Sequence, residues 1–174
     1  MSKERQRILI IIYYLVLVVI GGRLIFFIPN GKYLGILNTD NFFTISCTIV
    51  LLSMLLIYFL LKSSPIKKML INMVVTIVIF IVVGVYYYSN LPKYTYEEAA
   101  QKVEEVEKES GKNSKVYIPE HREDKIAYSS GSFFKTTNDK YFIYLKNGNE
   151  IFIYRFDPLN GEYEIYQGTR KLLE

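Results

Sequence analysis

The chain has 174 residues, 51% of them hydrophobic and 22% charged, with a formal net charge of +4. The charge is unevenly spread: residues 1–90 carry eight Lys/Arg and two acids, whereas residues 91–174 carry thirteen and fifteen. A nucleic-acid partner would need a basic face on the C-terminal half, which is slightly acidic, so none is expected. A single cysteine, Cys47, excludes a disulfide framework or a cysteine-based metal centre within one chain.

Residues 1–7 read as a cytoplasmic tail. Three apolar runs follow, 8–28, 42–61 and 69–88, each close to the roughly 20 residues that cross a hydrocarbon core. They lack the polar face that a surface helix keeps. The tail holds Lys3, Arg5 and Arg7 against one acid, and the loop 62–68 holds Lys62, Lys67 and Lys68 against none. The loop 29–41 balances Lys32 with Asp40. Basic segments stay in the cytoplasm. The expected topology therefore has the N-terminus inside, with loop 29–41 and everything beyond the third run outside. No small-x-small cleavage site follows the first run, which reads as an uncleaved anchor. The expected location is a cell membrane crossed three times. The Lys/Ile/Tyr/Asn-rich composition suggests a bacterium with one membrane.

The runs contain no Asp, Glu or His. Proton relays and intramembrane hydrolysis need titratable groups there, so neither is expected. Arg23 lies close enough to the end of the first run to snorkel toward headgroups. Tyr86, Tyr87 and Tyr88 fall where an interfacial aromatic belt is expected. Thr44, Cys47 and Thr48 share one side of the second run and read as a helix-packing face within a three-helix bundle or an oligomer, since small and hydroxyl residues allow close approach. Asn72 is expected to be hydrated or bonded to a neighbouring helix. Gly21, Gly22 and Gly84 are further close-approach positions.

A linker, 89–93, leads into an extracytoplasmic domain, 94–174. Thr95 and Glu98 form an S/T-x-x-E capping box. Tyr96, Ala99, Ala100, Val103 and Val106 give the helix one apolar stripe. Glu98–Lys102 and Glu104–Lys108 are i, i+4 pairs, Gly111 is a stop, and Glu97, Glu104, Glu105, Glu107 and Glu109 read as a solvated face. Short strands are expected at Lys115–Ile118 and Lys125–Tyr128, with a third piece at "FFK". Asn147-Gly148 and Asn160-Gly161 then separate three runs rich in Tyr, Phe and Ile. Asn-Gly favours the type I′ hairpin, so the spacing predicts a three-stranded antiparallel meander over 140–167. The fold class is thus three transmembrane helices plus a small α+β extracytoplasmic domain, one helix packed on an antiparallel meander.

The helix can cover one face of that sheet. The other is expected to carry Phe142, Tyr144, Phe152, Tyr154 and Phe156, more aromatics than a solvated face normally shows. Further core, the lipid surface, a second copy of the chain or a foreign protein could each cover it.

Two segments, "TYEEAAQKVEE" (95–105) and "IFIYRFDPLNGEYEIY" (151–166), resemble the PepSY-like domain. The resemblance covers about residues 94–167 and none of the apolar runs. It implies a helix on an antiparallel sheet whose last strands are joined through Asp157 and the turn glycine Gly161. It also implies a non-catalytic module found near cell-surface peptidases. The insertion "PEHREDKIAYSSGSFFKTTND" departs from the compact family pattern.

His121, the only histidine, lies among Glu120, Glu123 and Asp124. A defined metal site needs three or four convergent ligands, so a solvated loop is expected, with no metal and no cofactor. No Gly-x-Ser-x-Gly, H-E-x-x-H or P-loop occurs. The expected function is therefore non-enzymatic: binding or regulating an envelope protein through the outer domain. The alternative is an accessory or immunity subunit of a membrane transport complex, acting through its helices. Expected partners are the lipid bilayer and either an extracytoplasmic protein or a second copy.

Overall fold

A computed structural model describes residues 3–111 and 114–171. The chain divides into two compact units. A helical unit comprises residues 1–29 and 39–90, and a sheet unit comprises residues 30–38 and 91–174.

In the helical unit, α1 (Lys3–Val16) begins inside the predicted tail. A π turn, Leu17–Gly21, joins it to α2 (Gly22–Phe27), so the first apolar run is not one regular helix. Next come α3 (Thr39–Leu60) and α4 (Pro65–Ser89). Pro65 sits at the first position of α4, where its missing N–H costs nothing. Three stretches, Tyr14–Tyr33, Thr39–Leu60 and Pro65–Ser89, are long and apolar enough to cross a membrane.

What packs these helices is aromatic. Phe26, Phe42, Phe80 and Tyr87 are buried together, with Phe26 meeting Tyr87 edge-on at 5.2 Å and Phe42 meeting Tyr87 at 4.9 Å. Such contacts add about 0.5–1.5 kcal/mol beyond area burial. Gly22 makes room for this cluster, since a Cβ there would stand 2.5 Å from the Phe80 ring. A Cβ at Gly84 would meet Ile25 at 3.4 Å, and one at Gly21 would meet nothing.

The sheet unit contains α5 (Tyr96–Glu109) and five antiparallel strands. These are β1 (Lys115–Tyr117), β2 (Ile126–Ala127), β3 (Lys140–Asn147), β4 (Glu150–Phe156) and β5 (Tyr163–Lys171). The order is β1-β3-β4-β5. β2 also pairs with β3, at Ile126↔Tyr141, while β1 pairs further along at Tyr117↔Tyr144. The two short strands act as one edge strand broken by residues 118–125. The expected third piece at "FFK" is instead a turn, closed by the Lys135 amide donating to the Ser132 carbonyl.

The Asn-Gly signals hold by position but not by turn type. Asn147 pairs with Glu150, so the central residues of the first turn are Gly148 and Asn149. Among the described non-glycine residues only Leu34 has positive φ, whereas Gly148 has φ 61°. Positive φ at the first central position alone is the type II′ pattern. The second connection spans residues 157–162. The Asp157 carboxylate accepts from the Leu159 amide, and Gly161 takes φ 79°.

Residues 30–38, expected as part of an external loop over 29–41, belong to the sheet unit. Tyr33 is buried and donates to the Pro92 carbonyl at 3.1 Å. Ile36 and Leu37 are buried, and Thr137 donates to the Ile36 carbonyl at 2.8 Å. Asn38 donates from its amide to the Thr136 carbonyl and from its side chain to the Lys135 carbonyl. Arg122 donates to the Leu34 carbonyl and lies against Gly35, whose φ is 73°. The segment 119–139 therefore binds the 30–38 loop.

Candidate functional site

α5 starts at the capping box read from the sequence: Thr95 accepts from the Glu98 amide, and Glu98 accepts from the Thr95 amide at 2.8 Å. The Thr95 amide, and then the Thr95 hydroxyl at 2.9 Å, donate to the Glu98 carboxyl and hold it below its usual range. Tyr96, Ala99, Ala100 and Val103 are buried as expected, but Glu107 and not Val106 continues the stripe. Glu107 hydrogen-bonds the hydroxyl of Tyr154, so it leaves the solvated face assigned to it. Burial first, and this bond second, push the Tyr154 hydroxyl well above its ordinary range.

Tyr96 stacks edge-on against Tyr141 at 5.5 Å and donates to the Phe142 carbonyl. Tyr94 meets Phe156 at 5.4 Å. Lys102 reaches the Gly161 carbonyl at 3.0 Å and lies 4.7 Å over the Tyr94 ring, rather than pairing with Glu98. Glu104–Lys108 does form, at 2.7 Å. Lys93 and Tyr94 both donate to the Pro158 carbonyl, which closes the β4–β5 connection on the linker.

The five aromatics expected on one open face do not share it. Residues directly opposite in an antiparallel pair project to the same side. Tyr141 faces Phe156, Ile143 faces Tyr154 and Leu145 faces Phe152. Phe152, Tyr154 and Phe156 therefore lie on the α5 side, where Tyr154 is 1% and Phe156 0% exposed. Only Phe142 and Tyr144 keep the predicted side. A two-residue turn pairs odd positions of one strand with even positions of the next. The turn length alone thus carries the signal that corrects the assignment.

The face turned from α5 is nonetheless aromatic. Phe142 packs on Tyr166 at 4.8 Å, Tyr117 meets Tyr144 at 6.4 Å, and Arg155 lies over Tyr166. Ile151 and Ile153 lie opposite Lys146 and Tyr144. Lys115 pairs in register with Lys146. Like charges directly opposite are unfavourable in a sheet, and among the described residues neither lysine forms an ion pair. Arg155 is neutralised by Glu164. The result is an aromatic surface with a basic end. Tyr117 and Tyr166 belong to it without having been singled out from sequence. Their signal is cross-strand pairing, which strand identity alone does not supply.

In the helical unit, the inward face of α3 is Phe42, Ser46 and Val50. Thr44 and Thr48 are exposed, and the Thr48 hydroxyl donates to the Thr44 carbonyl at 2.8 Å. A threonine satisfied by its own helix needs no neighbour, and the bulk of Phe42 decides which side turns inward. Cys47 is half-buried. Arg23 lies 3.4 Å from Asp40, both exposed. Of the tyrosine triplet, Tyr86 and Tyr88 are exposed, but Tyr87 is 0% exposed and so is no lipid-facing anchor. Tyr87 and Tyr88 donate to the carbonyls of Phe26 and Ile25. These are terminal carbonyls of α2, which lack partners within the helix. Asn72 bonds Tyr14, whose hydroxyl also meets Thr76.

His121 is exposed, and among the described residues no three His, Cys, Asp or Glu side chains converge as a metal site. No protein-family model, characterised protein or solved structure matches the chain.

Proposed function

We propose that this is a non-enzymatic integral membrane protein with three membrane-crossing helices. Its C-terminal α+β domain, a helix packed on an antiparallel meander, lies outside the cytoplasm and binds or regulates an envelope protein. The observation that carries the reading is the aromatic face with Lys115 and Lys146 in register at one end. Tyr and Phe supply contact area with little side-chain entropy to lose, and the two lysines favour an acidic partner segment. The PepSY-like resemblance of residues 94–167 points the same way, toward a regulatory module near a peptidase.

The topology has its own support. Three crossings put residues 30–38 and 91–174 on one side, and those two segments fold together as one unit. The lysines at 62, 67 and 68 favour the cytoplasm for the opposite side.

A photoreactive residue at Tyr166, in intact cells, tests the reading. A discrete adduct with another protein is expected, and its mass identifies the partner. A dimer-sized adduct would assign the face to self-association. A second reading, an accessory or immunity subunit acting through its helices, draws on Thr44 and Thr48 facing out of the helical unit. Adducts from a probe at Thr44, with none from Tyr166, would replace the first reading by the second.

A further inference from the structure

The sheet unit exposes a second aromatic cluster, away from the sheet, at the loop 129–139. Phe133 and Phe134 contact each other edge-on at 6.0 Å and are 45% and 65% exposed. Tyr128, just before the loop, is equally open, and Lys135 follows directly. An exposed aromatic pair at a loop tip loses free energy to water unless something covers it.

The loop is held in shape. The Ser129 amide donates to the Asp139 carboxylate at 3.0 Å, and the Asn138 side chain donates to the Ser132 carbonyl at 3.1 Å. Gly131 lies against Asn138 so closely that a Cβ would stand 2.3 Å from its side-chain oxygen. The tip thus meets a partner without a large ordering cost.

Its place in the chain says what that partner is. Asn38 binds the carbonyls of Lys135 and Thr136. Phe134 is the residue before Lys135, and the residue after Asn38 is Thr39, which opens the apolar helix α3. One hydrogen bond and two peptide bonds therefore separate Phe134 from the start of that helix. We propose that the loop is a lipid-contacting element: Phe133 and Phe134 insert into the interfacial layer of the bilayer that α3 enters, and Lys135 meets headgroup phosphates. Aromatic rings with an adjacent lysine are the composition that this layer favours. Interfacial elements bury their apolar groups only about 5–10 Å deep, which a short loop reaches. The inference rests on α3 crossing the membrane.

The chain contains no tryptophan, so single tryptophans report without background. Three variants of the full chain, Phe134→Trp, Leu51→Trp in α3 and Tyr166→Trp on the sheet face, are reconstituted in phosphatidylcholine–phosphatidylglycerol vesicles. The lipids carry bromines either near the carbonyl end of the acyl chain or near its methyl end. The expected result is blue-shifted Phe134→Trp emission, quenched by the shallow bromines and little by the deep ones. Leu51→Trp should be quenched by the deep bromines, and Tyr166→Trp by neither. Water-like, unquenched Phe134→Trp emission beside a quenched Leu51→Trp would overturn the proposal and leave the membrane helix standing. Blue-shifted but unquenched emission would assign the loop to a second copy of the chain, which also overturns it. Shallow quenching at Tyr166→Trp with none at Phe134→Trp would move the lipid contact to the sheet face and overturn it too. An unquenched Leu51→Trp would remove the membrane reading itself.

Discussion

The helical unit and the sheet unit bury their side chains by different means. In the most apolar windows of the three long stretches, only 11%, 11% and 22% of the residues are buried. Most of the others are apolar side chains that are exposed or half-buried, such as Leu51, Leu56, Val74 and Val82. Cohesion comes from one aromatic cluster, one close glycine and tyrosine hydroxyls on terminal carbonyls. In the sheet unit β3 buries every second residue from Tyr141 to Leu145, and the hydrophobic effect supplies most of the stability. The first unit thus depends on a few tight contacts, while the second depends on a water-excluding core that includes buried polar groups. Those groups make it sensitive to charge.

The largest expected effect is alkaline unfolding of the sheet unit. Tyr96, Tyr141 and Tyr154 all have hydroxyls raised above the ordinary value of 10, burial being the main cause. Each stays neutral when folded and ionises near 10 when unfolded. Their contribution is complete below that pH and is lost as pH climbs toward the raised values. The three together set a slope of up to about 4 kcal/mol per pH unit, to be read from denaturant midpoints across pH 9 to 12. Replacing any one by Phe should reduce the slope by about a third; an unchanged slope would show that these hydroxyls are not protected.

Next in size, Gly22→Leu should disrupt the helical unit. Overpacking of this kind costs about 1–3 kcal/mol, seen as a lower melting temperature in detergent. A melting temperature equal to that of the parent protein would dismiss the Gly22–Phe80 contact as an organising feature.

A comparable effect is expected at the Glu107–Tyr154 pair. Glu107→Ala leaves a buried hydroxyl without its partner, at about 1–3 kcal/mol. The double variant Glu107→Leu/Tyr154→Phe removes both polar groups and should recover much of that loss. A double variant as unstable as the sum of its parts would mean the pair is not coupled.

The smallest effect separates the 30–38 loop from the core. Thr137→Val removes its bond to the Ile36 carbonyl and should cost about 1 kcal/mol. Hydrogen exchange should accelerate at residues 34–38 with little change in β4. Acceleration spread evenly through the sheet would mean the loop is integral to the core rather than clasped onto it.

Much of this organisation was legible in the chain. Length and uniform apolarity mark the long helices, because a bilayer-crossing segment has a required length. Thr95 and Glu98 mark the start of α5, because capping is local chemistry between residues three apart. Gly148 and Gly161 mark the connections, because only glycine enters positive φ cheaply. Even the true faces of β3 and β4 follow from a two-residue turn, although residue type alone misassigns Phe152, Tyr154 and Phe156.

What only the tertiary structure decided is long-range. Glu107 reads as solvent-facing until Tyr154 comes to meet it, and Tyr87 reads as a lipid anchor until Phe26 and Phe42 enclose it. Thr44 and Thr48 read as facing a neighbour within the chain until Phe42 turns the other side of α3 inward. Residues 30–38 join the sheet unit through Pro92, Arg122, Lys135, Thr136 and Thr137, all more than fifty positions away. Local propensity depends on neighbours within a few residues, and so it determined where elements begin and end. Which side chains meet across the fold is set by the competition for buried volume and for hydrogen-bond partners, and that competition takes place only once the chain has folded.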